Sequence, residues 1–251
     1  MKDMLKDYYR SLNVDEKVFE YCNSVEEKLK DRFAAIDAVS ELNQLKVLKA
    51  MQDNRLSEAH FAGSSGYGYT DDGRDALERI YADVFHTEDA LVRTQIVCGT
   101  HALCTAMFGN LRPGDEILAI AGKPYDTLDE IIGIRESRGS LAEYGVTYAQ
   151  VDLLPNVDFD IDGIKNAINS RTRLVEIQRS KGYAVRKTLS VQQIGEAIKA
   201  VKSVNPDIIC MVDNCYGEFV QDIEPSDVGA DLVVGSLTVS YTHLTLPTIR
   251  L

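Results

Sequence analysis

The chain has 251 residues, 45% of them hydrophobic, enough to bury one large core with or without an appendage. A net charge of -12 and a pI near 4.8 argue against nucleic acid or an anionic membrane as the main partner. No apolar run reaches the length of a membrane span, residues 1–10 are too polar for a secretory signal, and five cysteines without CxxC spacing read as reduced thiols of a cytoplasmic protein.

In residues 1–60, Val18, Cys22, Val25, Leu29, Phe33, Ile36, Val39, Leu42, Leu45 and Leu48 recur at three- and four-residue steps. This predicts an amphipathic helical arm in two or three pieces, either packed as an appendage or clasping a second subunit. Residues 60–74 hold four glycines together with Tyr67 and Tyr69, which predicts an irregular loop, and Arg74 opens a helix. Such a loop can read a phosphate, although taken alone it is better explained as an ordinary loop with an N-cap.

From residue 90 the pattern alternates. Short strands are predicted at 90–92 and 95–98, then a helix opening on Gly99-Thr100-His101 and ending near Pro113. A strand over 116–120 leads into Lys123-Pro124-Tyr125-Asp126-Thr127, with a helix around 128–134 behind it. Strands follow at 146–151, 173–178, 208–212 and 231–235, with helices at 161–168 and 191–204. The expectation is an α/β fold of three layers, a mainly parallel sheet with helices on both faces, in a large domain over 61–237.

The strand ends deliver Gly99-Thr100-His101, Tyr125, Arg179 and Lys181, Asp213 and Ser236 to one rim. A helix start with a hydroxyl suits a phosphate, an aromatic ring can stack on a flat ligand, and a strand-end carboxylate can hold a ring nitrogen protonated. Together they suggest pyridoxal phosphate, and no metal-ligand constellation is expected. A phosphate-binding module without catalysis is the bland alternative, disfavoured because neither GxGxxG nor GxxxxGK[ST] follows the first strands.

The ordered motifs GYGYTDDGRDALERI, CGTHAL, GKPYDTL, QRSKGY, VDNCYGEF and ADLVVGSL resemble the fold-type-I pyridoxal-phosphate enzymes over nearly the whole chain. The best match is the methionine gamma-lyase family, in the branch also labelled aluminium-resistance protein. The resemblance implies that Asp213 pairs with the ring nitrogen, that Gly99, Thr100 and Ser236 hold the phosphate, and that His101 or Tyr125 stacks on the ring. It implies that Tyr67, Tyr69 and Arg74 reach a neighbouring subunit's cofactor in a homodimer or homotetramer. Arg179, Lys181 and Tyr216 are candidate substrate contacts. The implied reaction is α-deprotonation and elimination of a thiol from a sulfur amino acid. An aminotransferase or an aldolase-type enzyme of the same fold is the alternative.

In that family the Schiff-base lysine follows closely after the GSL motif, here residues 235–237, but no lysine follows Lys202 in this chain. Residues 238–248 instead match one translated frame of a common transposon sequencing adapter. Residues 238–251 are therefore expected to be a non-native tail, on a reading frame cut just before its catalytic lysine and lacking the small C-terminal domain. Such a fragment is expected to be inactive, to form no Schiff base, and to expose sheet edges that favour aggregation.

Overall fold

The computed structural model describes residues 2–64, 67, 69 and 71–236. Leu237 and the tail over 238–251 lie outside the described residues, as does the expected position of the lysine.

The chain divides into two compact units, residues 1–45 and 46–251. In the first, α1 (Lys2–Ser11) and the start of α2 (Glu16–Asp53) are tied by ion pairs of Lys6 with Glu16 and Glu20 and by the Tyr9 ring against Phe19, 5.1 Å between centroids. The helical stretch is thus in two pieces, and α2 runs unbroken for 38 residues because no glycine or proline interrupts it. Residues 46–60, read with the arm, belong instead to the larger unit. There Ala50 is buried with Ile80 and Val84 of α3 (Asp72–Phe85).

The larger unit is built on five parallel strands in the order β2-β1-β3-β4-β5. They are β1 (Glu116–Ala119), β2 (Thr147–Gln150), β3 (Thr172–Gln178), β4 (Ile209–Asp213) and β5 (Leu232–Val234). Side chains alternate between two cores, as a strand's period of two requires. Leu118, Val175, Ile177, Cys210 and Val212 pack with Ile164 of α6 (Ile161–Ala167) and Ile194, Ile198 and Val201 of α7 (Val191–Val204). Ile117, Leu174 and Met211 pack on the other face, with Leu103 and Met107 of α4 (Gly99–Asn110) and Ile132 of α5 (Asp129–Ile132). The result is the three-layer α/β fold expected from the alternation.

Two predicted strands are absent. Residues 90–92 and 95–98 form no ladder, because their donors are used elsewhere. The Val92 N–H donates to the Glu78 carboxylate of α3 at 2.9 Å, Arg93 pairs with that same carboxylate, and the Ile96 N–H closes a turn onto Arg93 O at 3.1 Å. The helix expected over 128–134 is also short, ended by Gly133 at φ 94°.

Because every strand runs the same way, their carboxyl ends share one rim, and the order reverses between β1 and β3. Such a switch point opens a crevice where ligands bind in open α/β sheets.

Candidate active site

A cavity of about 530 Å³ opens at this rim. The start of α4 lines it with Cys98, Gly99, Thr100 and Leu103, and the segment after β1 with Tyr125 and Thr127. The loop after β3 adds Ser180, Lys181, Gly182, Tyr183 and Thr188; beyond β4 come Asp213, Cys215 and Tyr216, and beyond β5 comes Ser236.

Asp213 is 6% exposed and ends β4. One oxygen, Oδ1, accepts from the Cys215 N–H at 3.1 Å. Burial raises its carboxyl above the usual range, and the bonds from Cys215 work against that rise. Lys181 and Asp213 are the only formally charged side chains among the described residues lining the cavity, so a ligand meets one anion at its floor and one cation at its rim. Tyr216 stands in the left-handed region at φ 68°, unusual for a tyrosine, in a turn closed by the Gly217 N–H donating to Asn214 O at 2.7 Å.

The other end of the cavity suits an anion. No side chain caps the first turn of α4, and Thr100 Oγ1 lies 3.0 Å from Thr127 Oγ1. Gly99 brings the helix start so close that a Cβ there would sit 3.1 Å from Ser236 Cβ and 3.3 Å from Cys215 Sγ. Gly99→Ala is therefore expected to weaken phosphate-ligand binding about tenfold, the scale of a 1–3 kcal/mol overpacking cost, with an unchanged far-UV circular dichroism spectrum. Equilibrium dialysis against pyridoxal phosphate would check it, and unaltered affinity would refute this seat.

Tyr125 stacks on Tyr183, 5.6 Å between centroids and 26° between planes. The neighbouring Tyr183 side chain, and then burial, push the Tyr125 phenol up to about 12.

The structure thus brings together Gly99, Thr100, Tyr125, Lys181, Asp213, Tyr216 and Ser236. Of the two rings left open for stacking, Tyr125 lines the cavity. His101 does not: it is exposed, and its Nδ1 accepts from the Val97 N–H at 3.4 Å. Tyr67 and Tyr69 are exposed, Arg74 is paired with Asp71, and none of the three lines this cavity.

Arg179 is a correction. Read as a substrate contact, it is 1% exposed and lies outside the lining. Its Nη1 donates to Asn214 Oδ1 and Gly217 O, both at 2.8 Å, and its Nη2 to Gln221 Oε1 at 3.0 Å, with Glu224 Oε2 at 3.7 Å. It braces the turn that carries Cys215 and Tyr216. Thr127, Tyr183 and Cys215 were not singled out from sequence; each lies within two residues of one that was, which is the signal that could have found them.

The methionine gamma-lyase family matches residues 18–242. The chain belongs to that family. A family relative, the uncharacterized protein YnbB of Bacillus subtilis, is 52% identical over 204 residues, 80% of this chain and 48% of that protein. A solved structure, a carbon-sulfur lyase involved in aluminum resistance from Clostridium novyi, is 47% identical at a TM-score of 0.88, covering 92% of this chain and 56% of that one. The chain thus spans about half the length of these relatives. The pyridoxal-5'-phosphate dependent protein YhfS of Escherichia coli shares the fold at a TM-score of 0.58 and 17% identity, which speaks to the fold alone.

Proposed function

We propose that this chain is the cofactor-binding part of a cytoplasmic pyridoxal-phosphate-dependent carbon–sulfur lyase acting on a sulfur amino acid of the methionine, cystathionine or cysteine type. The observation that carries the reading is Asp213, a buried carboxylate on the floor of a cavity whose far end is an uncapped helix start. That pairing fits a ligand with a basic ring nitrogen at one end and a phosphate at the other. Bound there, pyridoxal phosphate supplies an electron sink for the carbanion left when an α-proton departs.

The chain's own residues bind and orient. Asp213 holds a proton at the ring nitrogen, and the Gly99 and Thr100 amides with the Thr100 and Ser236 hydroxyls take the phosphate. Tyr125 bounds the ring, while Lys181 and Tyr216 face the substrate at the rim. Tyr67, Tyr69 and Arg74 serve the cofactor of a neighbouring copy in a homodimer or homotetramer. No lysine follows Lys202, so the chain by itself holds the cofactor without a covalent bond and does not turn over substrate.

Titration with pyridoxal phosphate is expected to show reversible binding that borohydride does not make permanent. Asp213→Asn should weaken it about tenfold, the loss of one charge-assisted hydrogen bond. Absence of binding, or a visible absorption band that survives dialysis and is abolished by borohydride, would refute the reading. Assaying the longer protein for thiol release against amino transfer distinguishes a lyase from an aminotransferase.

A further inference from the structure

Glu176 stands in the middle of β3, between Val175 and Ile177, whose side chains enter the core under α7. Its own side chain therefore points to the opposite face, covered by α4 and carrying Met211 and, two residues on, Asp213. In the ladder Glu176 is opposite Met211 and Gln178 is opposite Asp213, so the two carboxylates are diagonal neighbours on adjacent strands. Glu176 is 0% exposed, and neither of its carboxylate oxygens has a hydrogen-bond partner. Gln178 Oε1, one step nearer the rim, is buried and unpartnered as well.

A bare carboxylate is costly in such a place. Burial, and then the charge of Asp213, push the Glu176 carboxyl up to about 8, with Arg186 working against them. The titratable groups around it come from β4, the loop after β3, β2 and α5, while β1 and α4 present apolar side chains to it. Asp213 belongs to β4 and Arg186 to the loop after β3; Tyr148 of β2 is itself raised by burial and then by Glu176, Asp129 of α5 and Asp152. α4 covers this face with Leu103 and Met107.

We propose that Glu176 is a positioning residue for the cavity: a proton-bearing partner of Asp213 that leaves a single negative charge on the cavity floor. Near neutral pH a ligand meets the charge of Asp213 alone. Once Glu176 loses its proton, a second negative charge lies behind the first, and a ligand protonated at the atom facing Asp213 is held more tightly. The proposal takes its probe from the cofactor reading, and the experiment separates the two.

The first measurement needs no ligand. Carboxyl carbon-13 resonances of the glutamates are followed in the 251-residue chain between about pH 4 and about pH 9. One glutamate is expected to titrate near 8, to vanish in Glu176→Gln and to move down in Asp213→Asn. The second is the dissociation constant of pyridoxal phosphate for Glu176→Gln relative to the unaltered chain, a ratio that cancels the ligand's own titration. It should stay within about twofold near neutral pH and reach about threefold or more, in favour of the unaltered chain, by about pH 9. A Glu176 that titrates with the ordinary glutamates, or a ratio constant with pH, overturns the proposal. A titration near 8 that responds to Asp213→Asn, in a chain that binds no pyridoxal phosphate, upholds the carboxyl pair and refutes the cofactor reading.

Discussion

Replacing Arg179 by methionine is expected to remove about 3–5 kcal/mol of folding stability, the usual consequence of stripping one partner from a buried ion pair. The guanidinium is 1% exposed and serves Asn214, Gly217, Gln221 and Glu224 together. Methionine fills much of the volume but donates nothing, so it leaves the buried Glu224 without its cation. Glu224 would keep its bonds from the Phe219 N–H at 2.7 Å and Asn214 Nδ2 at 3.1 Å, which limits the loss. Gln221 also accepts from the Val191 N–H at 2.8 Å, so the start of α7 should loosen along with the turn. Urea unfolding would show a lower midpoint at unchanged slope. A midpoint within error of the parent's would mean that the network is not structural.

The second large effect is a dependence of stability on pH. A carboxyl near 8 in the folded chain and near 4.5 in the unfolded one binds its proton more tightly when folded. Stability from Glu176 is therefore fully present below about 4.5 and is lost as pH rises towards 8, flattening above it. At roughly 1.4 kcal/mol per pH unit, the span amounts to on the order of 5 kcal/mol. Glu176→Gln keeps the shape and removes the titration, so the variant should match the parent in weak acid and exceed it at pH 8. Parallel urea curves at several pH values would decide the matter, and equal slopes of stability against pH in both proteins would remove Glu176 as the source.

Much of this was legible in the residues. The apolar runs of β1 to β5 are bounded by turn residues, and α7 is framed by Ser190 and by Asn205-Pro206, so these elements could be read directly. Asp213, Gly99, Thr100, Tyr125 and Ser236 could be placed at one rim because a parallel sheet sends every strand end to the same side. What escaped depended on partners distant in sequence. Residues 90–92 have a strand-like composition, but a carboxylate on α3 takes the Val92 N–H. Arg179 follows directly on a strand end and so resembles a rim residue, yet its fork turns inward to a turn some forty residues later. Glu176 was visible as an acid between Val175 and Ile177; its meaning required the register that sets it diagonal to Asp213 on β4.

The seat between Gly99 and Ser236 joins two points separated by more than half of the chain's length. Closing so long a loop is entropically slow, and each parallel pairing in the sheet needs a crossover before it can form. During folding, and during synthesis from the N-terminus, the α4 start waits for β5 before the anion end of the cavity exists. A ligand held at both ends can therefore recognise only a chain whose last described strand has docked, so capture of that ligand is a time stamp for the end of folding.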